Sequence, residues 1–290
     1  MKIKKRLNKY FRKTVTIGLT VSLVCSFTIF GYGATYPNVR PAINAKGAVT
    51  YCEELNKVVY SKNMHKKLDP LSTTKLLTVM IAADSVPLDT VVTIDARTAR
   101  VGEASIFLKE GEKITVRDLM YAALLPSAND AAYALGMAVS GNMNTFTRLM
   151  NEKAKQLGAQ NSFFTNPNGL LQKIHYSTAY DMMLISKAAL SNPIVQEIDN
   201  TEKHIIPKTN KTKRRVIYTT NSFLVDGEYA KYGAFGGKTG TWDYYNSALI
   251  IGYKQEGHTF YSVLLKDRMD TRYKDMVKII NYSKGKVLQL

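Results

Sequence analysis

The stretch Asp69-Pro70-Leu71-Ser72-Thr73-Thr74-Lys75-Leu76-Leu77-Thr78-Val79-Met80-Ile81 decides how this chain is read. Behind Lys75 the apolar residues fall at helical spacing, so the segment predicts a strongly apolar helix opened at Ser72. Ser72 and Lys75 are three positions apart, which puts them on one helix face with the amine in reach of the hydroxyl. A serine hydroxyl is a poor nucleophile at neutral pH and needs such a base within hydrogen-bond distance. At a helix N-terminus, unpaired backbone N–H groups and the helix dipole also favour a nearby oxyanion. The pair is what a self-activating acyl-transfer site requires.

The spacing alone is a weak signal, because Ser283 and Lys286 repeat it in a lysine-rich tail with no apolar helix behind them. Two later segments single out Ser72. Ser127-Ala128-Asn129 follows Pro126 in a tight break between two apolar helical runs, where a buried loop can aim side chains into a cleft. Lys238-Thr239-Gly240 follows Gly236-Gly237 and opens a strand whose edge can hold a substrate backbone. The S-x-N pattern recurs at Ser61 and Ser140, whereas K-T-G occurs once.

With these segments in order, the chain resembles the low-molecular-weight penicillin-binding proteins, specifically the serine-type D-alanyl-D-alanine carboxypeptidases of the S11 type in the β-lactamase/transpeptidase-like superfamily. The likeness extends through DPLSTTKLLT, SIFLKEGEKITVRDLMYAALLPSANDAA, FFTNPNGL, HYSTAYDM and GGKTGTW, and covers about residues 48–282. It departs at Leu71, where the family usually has Ala, at Ala128, where it has Gly, and at Trp242, where it often has Thr. The resemblance implies that Ser72 attacks the carbonyl between two terminal D-alanines with Lys75 as base. Lys75 can serve only if partly neutral. Desolvation, and the charge of Lys238 if the fold brings the two together, both lower its pKa. Ser127 is expected to relay the proton to the leaving amine, and Asn129 to hold Lys75 and the substrate amide. Lys238, Thr239 and Gly240 are expected to face the terminal carboxylate, with Arg268 as a second carboxylate ligand. The amides of Ser72 and Thr241 are expected to form the oxyanion hole. The implied partners are peptidoglycan stem peptides ending in D-Ala-D-Ala, with β-lactam antibiotics as covalent inhibitors.

Two other readings compete. A class A β-lactamase carries a glutamate four residues before an asparagine between its second and third motifs. Here Glu152, Glu197, Glu202 and Glu228 are followed at that distance by Gln156, Thr201, Ile206 and Tyr232. A catalytically silent wall-peptide-binding protein is the other reading, for which Leu71, Ala128 and Trp242 leave room. The four histidines are scattered without ligand spacing and Asp130 reads as a helix-start residue; no metal or cofactor is expected.

Short β-branched runs over 48–60 predict two strands, and several helices follow. Thr115 with Asp118 caps one, Asn129–Ser140 forms another, Asn142 opens a third ending at Gly158, and Ser177 or Thr178 with Asp181 opens a fourth. The basic run 201–216 reads as an exposed connection or edge hairpin. Strands over 246–253 and 259–266 and a helix over 270–282 close the chain. This order predicts an α+β fold of the β-lactamase/penicillin-binding-protein type. Both chain ends would supply one antiparallel sheet packed against a helical subdomain.

The 290 residues carry 40 Lys and Arg against 23 Asp and Glu. Seven of the basic residues precede the apolar run 15–30, the pattern of an export signal. Gly31 and Gly33 place the expected cut before Ala34; an uncleaved membrane anchor is the alternative. Residues 34–290 are then the catalytic domain, without the further C-terminal β-domain of many relatives. Its surplus of positive charge suits anionic wall polymers or a membrane surface, whereas an exported chain with no recognition motif is not expected to bind nucleic acid. Only Cys52 lies beyond the signal, so no internal disulfide is expected and the core must hold the domain. Extracellular locations, the cell wall and the outer face of the cytoplasmic membrane all fit this reading.

Overall fold

The computed structural model describes residues 39–225 and 227–289; the expected export segment, residues 1–33, lies outside them. In chain order the elements are β1 (Gly47–Cys52), β2 (Lys57–Lys62), a 3₁₀ turn (Leu71–Thr74) and α1 (Lys75–Ser85). Then come β3 (Val91–Thr93), β4 (Lys113–Thr115), α2 (Val116–Leu124), α3 (Asn129–Ser140) and α4 (Met143–Gln156). The rest are α5 (Ala179–Ser191), α6 (Pro193–Asp199), β5 (Lys203–Ile206), β6 (Arg215–Tyr218), β7 (Ala234–Asp243), β8 (Asn246–Gln255), β9 (His258–Asp267) and α7 (Arg272–Val287).

One five-stranded antiparallel sheet runs β2-β1-β9-β8-β7. Strands from the two ends of the chain meet where β1 pairs with β9, and β7, carrying the K-T-G residues, is left at the edge. Alternation along β8 explains the layers. Leu249, Ile251 and Tyr253 face the core shared with Met276, Ile279 and Ile280 of α7, while Ala248 and Ile250 face the helical side. The sheet therefore has α7 on one face and the helical subdomain on the other, an α+β arrangement. Buried α1 lies at the centre of that subdomain.

Local signals set most helix starts. Thr115 accepts from the amide of Asp118 and caps α2; Asn142 accepts from the amides of Asn144 and Thr145; Thr178 accepts from the amide of Asp181. The basic run is a hairpin, β5 paired with β6 and separate from the main sheet. α7 starts two residues later than expected and extends past Tyr282, because Ser283 and Val287 are buried and hold its last turn. Among the described residues no helix is long and apolar enough to cross a membrane.

Candidate active site

Ser72 does not sit in α1 itself but in the preceding 3₁₀ turn, which feeds directly into Lys75. The turn is held from both sides by glycines. A Cβ on Gly240 of β7 would lie 2.9 Å from Leu71 Cβ and 3.2 Å from the amide nitrogen of Ser72. On the other side, Gly169 has φ +81° and a Cβ there would fall 1.8 Å from the carbonyl oxygen of Leu71. Both positions therefore exclude a side chain. Leu71 adopts φ +52°, a conformation that costs a branched residue on the order of 1–2 kcal/mol, so the nucleophile's turn is held in a strained shape by its neighbours.

Lys75 is completely buried. Its Nζ lies 2.9 Å from Ser72 Oγ, 2.8 Å from Asn129 Oδ1 and 2.8 Å from the carbonyl oxygen of Asn168. The last two atoms can only accept. A neutral amine satisfies both with its two N–H bonds and turns its lone pair toward the Ser72 hydroxyl, the geometry a base needs. The electrostatics favour that neutral form. Burial first, and then the charge of Lys238, hold the Lys75 pKa well below the usual lysine value, against weaker opposition from Asp130 and Glu103.

Asn129 begins α3, and its orientation is fixed because its Nδ2 donates to the carbonyl of Gly102 at 3.1 Å. Ser127 has φ +65° and its Oγ is buried without a hydrogen-bond partner among the described residues. An orphaned buried hydroxyl is costly unless a ligand or water completes it. Lys238 is buried, and its Nζ donates to the carbonyl of Thr239 at 3.1 Å. Asp199, at the end of α6, accepts a hydrogen bond from the amide of Gly237 and lies close enough to Lys238 for mutual attraction. Burial lowers the Lys238 pKa and raises that of Asp199, and that attraction opposes both shifts. Thr239 Oγ1 is 2.7 Å from Thr220 Oγ1.

Arg268 stands apart from the strand. Its guanidinium is engaged by Asp270 and by the hydroxyl of Tyr244. The arginine against β7 is Arg272, one turn further on, which donates to the carbonyl of Gly240 at 3.2 Å and to Thr241 Oγ1 at 2.6 Å. Three further features escaped the sequence reading. Asn168 acts through a backbone carbonyl, which leaves no side-chain signature. Asp199 is remote in sequence, and α6 was not anticipated although Asn192-Pro193 is a start signal. Asp130 does more than start a helix, since it accepts from Ser105 Oγ and from the amides of Ile106 and Leu108, pinning the loop beside Asn129. His175 is structural: Nδ1 accepts from the amide of Thr165, so Nε2 carries the proton and donates to Thr74 Oγ1 at 3.1 Å.

The sequence profile of the D-alanyl-D-alanine carboxypeptidases, peptidase family S11, matches residues 34–269. D-alanyl-D-alanine carboxypeptidase DacF of Bacillus subtilis is 32% identical over 201 residues, 66% of this chain and 51% of that protein. DacC of Escherichia coli is 30% identical over 255 residues, 83% of this chain and 62% of that protein. The chain thus spans about half to three-fifths of the length of these relatives. Among solved structures, a serine-to-alanine mutant of the Streptomyces K15 DD-transpeptidase superposes with a TM-score of 0.77 at 28% identity, over 84% of this chain and 98% of that one. A buried lysine on a serine, an S-x-N loop and a K-T-G edge strand are thus found in a chain whose profile and fold agree: it belongs to the D-alanyl-D-alanine carboxypeptidase family of serine peptidases.

Proposed function

We propose that this chain is a serine D-alanyl-D-alanine carboxypeptidase that removes the terminal D-alanine from peptidoglycan stem peptides. The observation that carries the reading is Lys75: fully buried, 2.9 Å from Ser72 Oγ, with two obligate acceptors on its remaining contacts. Neutral Lys75 takes the Ser72 proton as Oγ adds to the carbonyl carbon, and the amides of Ser72 and Thr241 receive the oxyanion. The tetrahedral centre then expels the amine of D-alanine, which receives a proton through Ser127. Its carboxylate is held by Thr239 and Lys238, with Arg272 in the role first expected of Arg268. Water hydrolyses the ester and frees the shortened peptide.

β-Lactams enter the same sequence as far as the ester. Among the described residues no carboxylate hydrogen-bonds Lys75 or Ser72, so nothing at the serine is poised to activate water against a bulky penicilloyl group. We expect a long-lived adduct. Residues 1–33 are proposed to export the protein, with the domain of residues 34–290 acting at the wall or on the outer face of the cytoplasmic membrane. The test is release of free D-alanine from a peptide ending in Lys-D-Ala-D-Ala, together with intact-mass measurement after benzylpenicillin. Release and a persistent adduct on Ser72, both lost in Ser72→Ala, are expected. Neither release nor adduct would mean a silent binding protein; fast penicillin turnover would mean a β-lactamase.

A further inference from the structure

Residues 102–104 wrap around the catalytic asparagine. The carbonyl of Gly102 accepts from Asn129 Nδ2 at 3.1 Å, and the carbonyl of Ala104 accepts from the Asn129 amide at 2.7 Å. Glu103 is the residue between these two tethers. It stands at φ +62°, whereas Gly102 beside it, which could adopt such a conformation without strain, does not. Left-handed backbone on a residue with a side chain is costly, and strain of this kind collects at functional sites. Here it sets an exposed carboxylate at the edge of the catalytic site.

Two further observations mark that carboxylate. In a chain with 40 Lys and Arg against 23 Asp and Glu, Glu103 makes no ion pair or hydrogen bond among the described residues. Its charge is nonetheless felt at buried Lys75, so it lies within electrostatic reach of the reacting groups. An unpartnered anion on a basic protein is open to a cation from outside.

The substrate passes this point. An asparagine amide has two N–H bonds, and the second N–H of Asn129 Nδ2 is taken up by no described residue. During acylation it donates to the amide carbonyl that precedes the penultimate D-alanine. That carbonyl belongs to the diamino acid of the stem peptide. Through the Gly102 hydrogen bond, the Cα of Glu103 is no more than about 7 Å from Asn129 Nδ2. The long side chains of Glu103 and of the diamino acid therefore start close enough to meet.

We infer that Glu103 is a specificity-determining residue whose carboxylate pairs with the free side-chain ammonium of the diamino acid preceding D-Ala-D-Ala. The inference rests on the carboxypeptidase reading. Lysine and diaminopimelate both carry that ammonium. It is charged only while the amine is free; acylated in a cross-link, the same residue presents a neutral amide and Glu103 has nothing to pair with. The enzyme therefore trims stems with a free amine ahead of stems whose amine is already joined.

The test uses the whole protein and two pairs of peptides ending in D-Ala-D-Ala. One pair has L-lysine before the D-alanines, its ε-amine free or acetylated. The other has meso-diaminopimelate, its D-centre amine free or acetylated. Wild type is expected to release D-alanine from a free-amine peptide with kcat/KM about three- to fivefold above its acetylated twin, the range of an ion pair near the surface. Raised salt should shrink that preference. The pair or pairs that show it identify which ammonium is read. Glu103→Gln is expected to erase the preference by slowing the free-amine peptide alone, and Glu103→Lys to invert it. Equal turnover within both pairs by wild type, or a preference that survives Glu103→Gln, overturns the role of Glu103 and leaves the carboxypeptidase reading standing. An equal loss on free and acetylated peptides in Glu103→Gln also overturns it, since the residue would then only hold the loop. No D-alanine from any peptide removes the reading and the inference together.

Discussion

At the scale of single residues, the chemistry turns on one proton at Lys75. Lys75→Arg keeps a cation in the pocket but removes a base that can be neutral at working pH, so penicillin acylation should fall by about 10²- to 10⁴-fold. Lys238→Gln tests the electrostatics separately. It deletes the positive charge that helps depress the Lys75 pKa, so that pKa rises and a smaller fraction of Lys75 is neutral at any given pH. The acid limb of the pH–acylation profile should move to higher pH; an unmoved limb would show that burial alone sets the base. The side chains in this argument were legible in the sequence because three short motifs fix their types and order. Their partners were less so. Asn168 contributes a carbonyl that any residue could supply, and Arg272 was displaced by its neighbour Arg268 because only the start of α7 decides which arginine turns toward β7.

Elements position those residues through a few tethers. The loop 166–170 is bound to α1 by Thr78, whose hydroxyl donates to the carbonyl of Pro167, and by Lys75 itself. Gly169→Ala would add a Cβ into the Leu71 carbonyl, so either this loop or the Ser72 turn must move. Acylation should drop at least tenfold, with a fall in melting temperature; an unchanged rate would mean that the turn tolerates the shift. The hairpin β5–β6 hangs on Glu112, which accepts from Arg215, Thr209, Thr212 and the amide of Lys109. Those contacts hold its carboxyl down to about 2 despite burial. Glu112→Gln leaves a mostly buried guanidinium without its counter-charge, a loss of about 3–5 kcal/mol by analogy with broken buried pairs. Hydrogen exchange should quicken in β5 and β6 while β8 and β9 stay protected. Capped helices such as α2, α4 and α5 were readable because their start signals are local. That both chain ends share one sheet was readable from the order of strand-like and helical runs, but the strand order and the register of β1 against β9 were not, since no local signal in either strand specifies them.

For the molecule as a whole, buried titrating groups make acid stability a difference between opposing slopes. His175 is held neutral by burial, with its pKa lowered from 6.5 to about 4. Between those values the unfolded chain binds more protons, so His175 removes stability as the pH falls from about 6.5 to 4. From pH 7 to pH 4 the loss is about 3 kcal/mol. Asp267, at the end of β9, behaves in the opposite sense. Burial raises it from 3.8 to about 6, and its Oδ2 is an orphaned buried acceptor. The folded state then binds more protons between those values, so acidification through pH 6 adds about 2 kcal/mol over the same range. The Asp199–Lys238 pair is common to every chain in the comparison, so differences between chains isolate each group. Relative to wild type, His175→Asn should gain about 3 kcal/mol between pH 7 and pH 4, and Asp267→Asn should lose about 2 kcal/mol. Urea denaturation of the three proteins at both pH values reads these slopes directly. Parallel stability curves would mean that neither group is buried in its uncharged form, and with His175 charged its Nδ1 could no longer accept from the amide of Thr165.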